Sequence, residues 1–170
     1  MLRRLVAGPV ISSDSCDEAP VRGVHQEADE LNLESYIRDI PDFPKPGVMF
    51  KDITPLLADP DGFKACIDTI ADAYRDAGVT KVLGAEARGF ILGGAIAYAL
   101  GSGFIPARKP GKLPAETTSA KYQLEYGVDT LEMHTGAVGP GEKVLIIDDV
   151  LATGGTAAAT ARVSSASELS

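Results

Sequence analysis

Four consecutive apolar residues, Val144, Leu145, Ile146 and Ile147, run directly into two adjacent acids, Asp148 and Asp149. A strand of unbroken branched aliphatics cannot lie on a half-wet sheet, because every second side chain would face water. It needs cover on both faces, and strands of that kind belong to parallel sheets whose crossovers pack helices against them. The two acids then stand at the carboxyl end of the strand, the edge at which open α/β sheets bind ligands. Ala152, Thr153, Gly154, Gly155 and Thr156 follow and open an alanine-rich helical stretch. Glycines let backbone N–H groups approach an anion, a helix N-terminus favours negative charge, and threonine hydroxyls add donors. The run reads as a cradle for one phosphate, with neighbouring acids placed for sugar hydroxyls or a hydrated Mg²⁺. No Lys follows the glycines and the spacing is not GxGxxG, so neither a Walker loop nor a dinucleotide fingerprint fits.

The rest of the chain supports an α/β class. Residues 63–77 alternate apolar and polar at helical period and end at Gly78, where a C-cap belongs. Residues 81–85 read as a short buried strand, 89–100 as a helix rich in small residues packed closely on it, and 103–107 as the next strand. Leu33, Tyr36, Ile37 and Ile40 recur at helical spacing and predict a short helix ending at Pro41. Residues 41–55 hold four prolines, too many for a helix or a central strand, and predict a long stiff loop. Residues 108–121 read as a mobile basic loop carrying Lys109, Lys112 and Lys121, followed by a strand pair around 122–126 and 130–134. Three parts result: residues 1–30 as a disordered or mis-annotated extension rich in Ser, Asp and Glu, a domain over 31–163, and a polar tail over 164–170.

Composition narrows the function. With 170 residues the chain suits one domain, and 45% hydrophobic with 24% charged residues is ordinary for a water-soluble protein. Sixteen Lys and Arg against 24 Asp and Glu leave a net charge of −8, which repels nucleic acid and anionic lipid. Phosphate chemistry must therefore come from a local site. Two cysteines, Cys16 and Cys66, make no disulfide framework or metal spacing and suit free thiols in a reducing compartment. No apolar run approaches the ~20 residues of a membrane span, and the N-terminus is too broken by Gly8 and Pro9 for a signal peptide. A cytoplasmic protein is expected. His25 and His134 have no partner at catalytic spacing and are taken as incidental.

The run from Val144 to Thr156 resembles the phosphoribosyl pyrophosphate motif of the type I phosphoribosyltransferases. Four further stretches are similar to the adenine-using branch of that family, in the same order: residues 41–55, 86–90, 108–114 and 124–127. The resemblance spans roughly residues 33–163. It implies a type I phosphoribosyltransferase fold, a parallel sheet flanked by helices with a small N-terminal hood. It implies adenine and phosphoribosyl pyrophosphate as substrates, Mg²⁺ carried in by the pyrophosphate without direct protein ligands, AMP as product in purine salvage, and a homodimer. By the same resemblance Asp148 and Asp149 hold the ribose hydroxyls, and Ala152, Thr153, Gly154, Gly155 and Thr156 hold the 5′-phosphate. Arg88 meets the pyrophosphate, beside a strained Glu86–Ala87 peptide. Lys109 and Lys112 lie on a loop that closes over it. Phe50 stacks on adenine while the backbone at Met49 and Lys51 reads its edge. Glu125 manages the proton at N7, with Tyr126 beside the substrate. From the residues alone, Phe50 reads equally well as core, and Glu125 as an ordinary polar strand residue.

The chain departs from the family after the phosphate helix. Relatives continue with further strand and helix, whereas here residues 164–170 are polar. The expectation is exposed apolar surface and an open strand edge on that side of the sheet. A non-catalytic remnant that binds the phosphoribosyl ligand is therefore an alternative, as is an enzyme for another base.

Overall fold

The computed structural model describes residues 7–12, 32–124 and 127–148. The central sheet has the order β1 (Ala7–Ser12), β8 (Lys143–Ile147), β4 (Lys81–Ala85), β5 (Gly103–Ala107). The last three are parallel, with Lys81 opposite both Val144 and Gly103, while β1 runs antiparallel along β8. Two helices pack on this sheet, α2 (Pro60–Tyr74) and α3 (Gly89–Leu100), and a five-residue helix α1 (Thr54–Ala58) leads into α2. Two antiparallel hairpins complete the described residues: β2 (Arg38–Pro41) with β3 (Met49–Asp52), and β6 (Thr117–Leu124) with β7 (Gly127–His134).

Strand period 2 divides the core into two. Val82, Leu145 and Ile147 point to the helix side, where they pack with Ile67, Ile70, Leu92 and Ile96. Leu83, Ile105 and Val144 point the other way and are covered by Leu131 and Met133 of β7 together with Val138. The aliphatic strand is thus covered twice, as its composition demanded, with helices on one face and a hairpin on the other. Val144, Leu145, Ile146 and Ile147 are all buried. The apolar surface expected here is therefore not found on β8, and the edge expected to lie open is paired with β1. That pairing also departs from the reading of residues 1–30 as structureless. Its physical basis is a row of unsatisfied N–H and C=O groups on β8, which a short extended segment can complete.

Two local expectations change. Residues 33–40 do not form a helix: Leu33–Tyr36 is a single 3-10 turn, started by the Asn32 side chain accepting from the Glu34 N–H at 3.2 Å, and the chain then enters β2. Eight residues before a proline are too few to offset helix nucleation, and pairing with β3 supplies the backbone hydrogen bonds instead. Residues 41–55 are not all loop, since Met49–Asp52 is a strand; Pro41 sits at the end of an edge strand and Pro55 in the first turn of α1, both positions that tolerate a missing N–H. The basic segment is also shorter than expected, because β6 begins at Thr117.

Candidate active site

Parallel strands deliver their following loops to one edge. At the end of β4 come Glu86, Ala87 and Arg88, with the Glu86–Ala87 peptide cis, before α3 starts at Gly89. At the end of β5 come Arg108, Lys109 and Lys112, and at the end of β8 comes Asp148, half-buried. Glycines draw these three ends together. A Cβ on Gly89 would lie 2.8 Å from the Ile147 carbonyl oxygen and 3.5 Å from the Asp148 Cα, and one on Gly84 would lie 2.6 Å from the Gly89 carbonyl oxygen. Only hydrogen fits at either place, so the small-residue pattern is what seats α3 against β4 and β8.

The β2–β3 hairpin reaches the same edge. The Arg88 guanidinium carbon lies 5.3 Å from the Phe50 ring centroid, a cation–π contact, and Phe43 meets Phe50 edge to face at 5.1 Å. Phe50 is half-buried, so its ring is part of the packing and also reaches the surface at this edge. Met49 is exposed beside it, and the Lys51 ammonium pairs with Asp39 across the hairpin at 2.6 Å. The base of the hairpin is held by Asp52, whose carboxylate accepts from Arg38 Nη2 at 2.6 Å and Nε at 3.2 Å, from the Thr54 N–H at 2.9 Å and from Thr54 Oγ1 at 3.0 Å. Arg38 and then Thr54 lower the Asp52 pKa from 3.8 to about 2.

The basic loop is tied down rather than free. The Glu86 carboxylate, 10% exposed, pairs with Lys112 Nζ and accepts from Arg108 Nε at 3.3 Å and from the Lys109 N–H at 3.0 Å. Arg108 Nη1 donates to the Lys112 carbonyl at 3.1 Å, and the Gly111 N–H donates to Glu132 Oε2 at 3.0 Å. Burial pushes the Glu86 carboxyl up, but the hydrogen bonds from Lys112 and Lys109 and the two cations together hold it below the usual carboxylate range.

A phosphoribosyl transferase domain matches residues 52–163. The adenine phosphoribosyltransferase of Solibacter usitatus is 63% identical over 132 residues, 78% of this chain and 76% of that one. The chain belongs to the adenine phosphoribosyltransferase family. The adenine phosphoribosyltransferase of Aeromonas salmonicida is 56% identical over 77% of this chain and 72% of its own. Among solved structures, the family member from Rhodothermus marinus superposes with a TM-score of 0.74 at 52% identity, covering 79% of this chain and 77% of that one. The Giardia lamblia enzyme complexed with 9-deazaadenine gives 0.77 at 40% identity, over 81% and 76%.

For this family member, the structure brings Phe50, Arg88, Lys109, Lys112 and Asp148 to one edge, with Met49 and Lys51 flanking Phe50. Glu125, Tyr126, Asp149, Ala152, Thr153, Gly154, Gly155 and Thr156 lie outside the described residues. Sequence reasoning missed Arg108 and the Glu86 and Glu132 side chains. The sequence signal was weak: an acid just before Arg88, and a cationic segment 22–26 residues later that it reaches only in space. Among the described residues no group of three or more His, Cys, Asp and Glu is placed to hold a metal ion, and no helix is long and apolar enough to cross a membrane.

Proposed function

We infer that this chain transfers the 5-phosphoribosyl group from phosphoribosyl pyrophosphate to adenine, giving AMP and pyrophosphate. The observation that supports it best is the 5.3 Å approach of Arg88 to Phe50, which sets an anion-binding group beside an aromatic face at the ligand edge of a parallel sheet. In the reaction the bond from C1′ to pyrophosphate oxygen breaks and the bond from C1′ to the purine nitrogen forms, through an oxocarbenium-like state. Phe50 stacks on adenine, and the backbone at Met49 and Lys51 reads its edge, a role that leaves the Lys51 ammonium free to pair with Asp39. Arg88 and Lys109 oppose the charge that builds on the departing pyrophosphate, and Lys112 joins them. Asp148 and Asp149 bind the ribose hydroxyls, Ala152 to Thr156 the 5′-phosphate, and Glu125 beside Tyr126 manages the purine proton at N7. Holding both substrates in line supplies most of the rate, with a smaller acid–base share from Glu125.

Mg²⁺ is the proposed cofactor. Mg²⁺ usually keeps several waters and is held by substrate phosphates, so an open edge with Asp148 nearby suits an ion that arrives with the pyrophosphate and needs no direct protein ligand. When bound, it offsets charge on the pyrophosphate. We place the enzyme in the cytoplasm, in purine salvage, as a homodimer. The exposed face of α3 that carries Ile91 and Tyr98 is a suitable contact.

The deciding experiment measures AMP formation by the 170-residue chain with Mg²⁺ and phosphoribosyl pyrophosphate, offering adenine, hypoxanthine or guanine. Adenine-selective turnover is the expected result. Selective use of another base would reassign the acceptor, and binding of phosphoribosyl pyrophosphate without turnover would make the chain a binding module.

A further inference from the structure

Three donors from one basic loop converge on a single carboxylate. Glu86 Oε2 accepts from Arg108 Nε at 3.3 Å and from the Lys109 N–H at 3.0 Å, and Oε1 pairs with the Lys112 ammonium. Two cations and a backbone N–H aimed at one point form an anion site, and here the anion is supplied by the protein. The carboxylate belongs to the residue two before Arg88, so the filled site adjoins the group placed at the pyrophosphate. The charges do not cancel. The loop brings three positive charges, Arg108, Lys109 and Lys112, against the two negative charges of Glu86 and of Glu132, which accepts from the Gly111 N–H, and so keeps a net attraction for further anions.

We propose that Glu86 is a positioning residue that stands in for the pyrophosphate of the substrate, holding Lys112 between turnovers and yielding it when the pyrophosphate arrives. This rests on the activity assigned above. A carboxylate has one charge and two oxygens, whereas pyrophosphate has several charges and more oxygens, so it outcompetes Glu86 for a flexible ammonium. The Lys109 N–H and Arg108, fixed by backbone position and by the bond to the Lys112 carbonyl, keep Glu86 in place during the exchange. Part of the binding free energy of pyrophosphate is spent on displacing Glu86, which eases release of the product.

The sign of one variant tests this. Glu86→Gln keeps the shape and an accepting oxygen but loses the charge that competes. Titration with inorganic pyrophosphate and Mg²⁺ should show at least threefold tighter binding than wild type, with the KM for phosphoribosyl pyrophosphate lowered by a similar factor and the KM for adenine unchanged. A residue that merely braces the loop gives the opposite sign, since a loosened loop binds an anion less well. Unchanged or weaker pyrophosphate binding by a Gln variant that melts at the wild-type temperature overturns the proposal. If that variant does not fold, Glu86→Ala carries the same prediction of sign. The double variant Glu86→Gln with Lys112→Ala should lose the gain, and a gain that persists without Lys112 also overturns the proposal. Pyrophosphate titration needs neither adenine nor turnover, so a wild-type chain that makes no AMP refutes the assigned activity and leaves this test readable.

Discussion

The ring of Phe50 meets two groups at once, Phe43 edge to face and the guanidinium of Arg88. Base–aromatic stacking is worth about 1–3 kcal/mol by alanine substitution, so Phe50→Ala should raise the KM for adenine about tenfold. The KM for phosphoribosyl pyrophosphate should move much less, and steady-state kinetics with each substrate varied in turn checks the split. Equal changes in both would remove Phe50 from the base site. Asp52 gives a second prediction, in pH. Its carboxyl titrates at about 2 in the folded chain and near 3.8 without its partners. The carboxylate form is thus favoured by folding, its stabilisation is complete above pH 3.8, and it fades as pH falls toward 2. Thermal melting between pH 5 and pH 2 should show wild type losing stability more steeply than Asp52→Asn. Parallel curves would mean that Arg38 and Thr54 contribute nothing through this group. Cys66 takes no part in the chemistry: it is buried, and burial pushes its thiol up to about 11.

At the scale of elements, the glycines of β4 and α3 decide the geometry of the edge. Gly89→Ala would place a methyl 2.8 Å from the Ile147 carbonyl oxygen, a backbone atom that cannot turn aside. Overpacking of this kind costs about 1–3 kcal/mol, so the melting temperature should fall by several degrees. Activity should fall further than stability explains, because α3 carries Arg88 at its start and β8 carries Asp148 at its end. Kinetics at a temperature where the variant is fully folded separates the two effects. Where local pattern and packing agree, the elements were legible in sequence: 81–85, 89–100 and 103–107 were read with the bounds the structure has. Where they conflict, the pattern misled. Leu33, Tyr36, Ile37 and Ile40 keep a helical spacing, yet the ion pair of Arg38 with Asp52 and the strand pairing with β3 involve partners 8 to 14 residues downstream, which helical periodicity does not register.

Across the whole molecule, the two faces of the sheet are covered by different materials, helices on one and the β6–β7 hairpin on the other. One apolar feature is left outward among the described residues of α3: Ile91 is 49% and Tyr98 90% exposed, two turns apart on one side of the helix. If copies of the chain pair through this face, light scattering after gel filtration should give a dimer mass for wild type and a monomer mass for Tyr98→Glu. A wild-type monomer would dismiss the homodimer, and a Tyr98→Glu dimer would move the contact elsewhere.

Side-chain pattern alone requires that residues 144–147 form a doubly covered parallel strand, that acids stand at its carboxyl end, and that small residues seat a helix beside it. Those properties depend on side-chain character along a few contiguous residues, and composition cannot hide them. Long-range packing sets the rest: β1 pairs with β8, Phe50 faces Arg88, and Glu86 gathers Arg108, Lys109 and Lys112. Each of those contacts joins residues far apart in the chain, and a charge or a strand edge is satisfied by whichever partner the fold brings within about 3 Å.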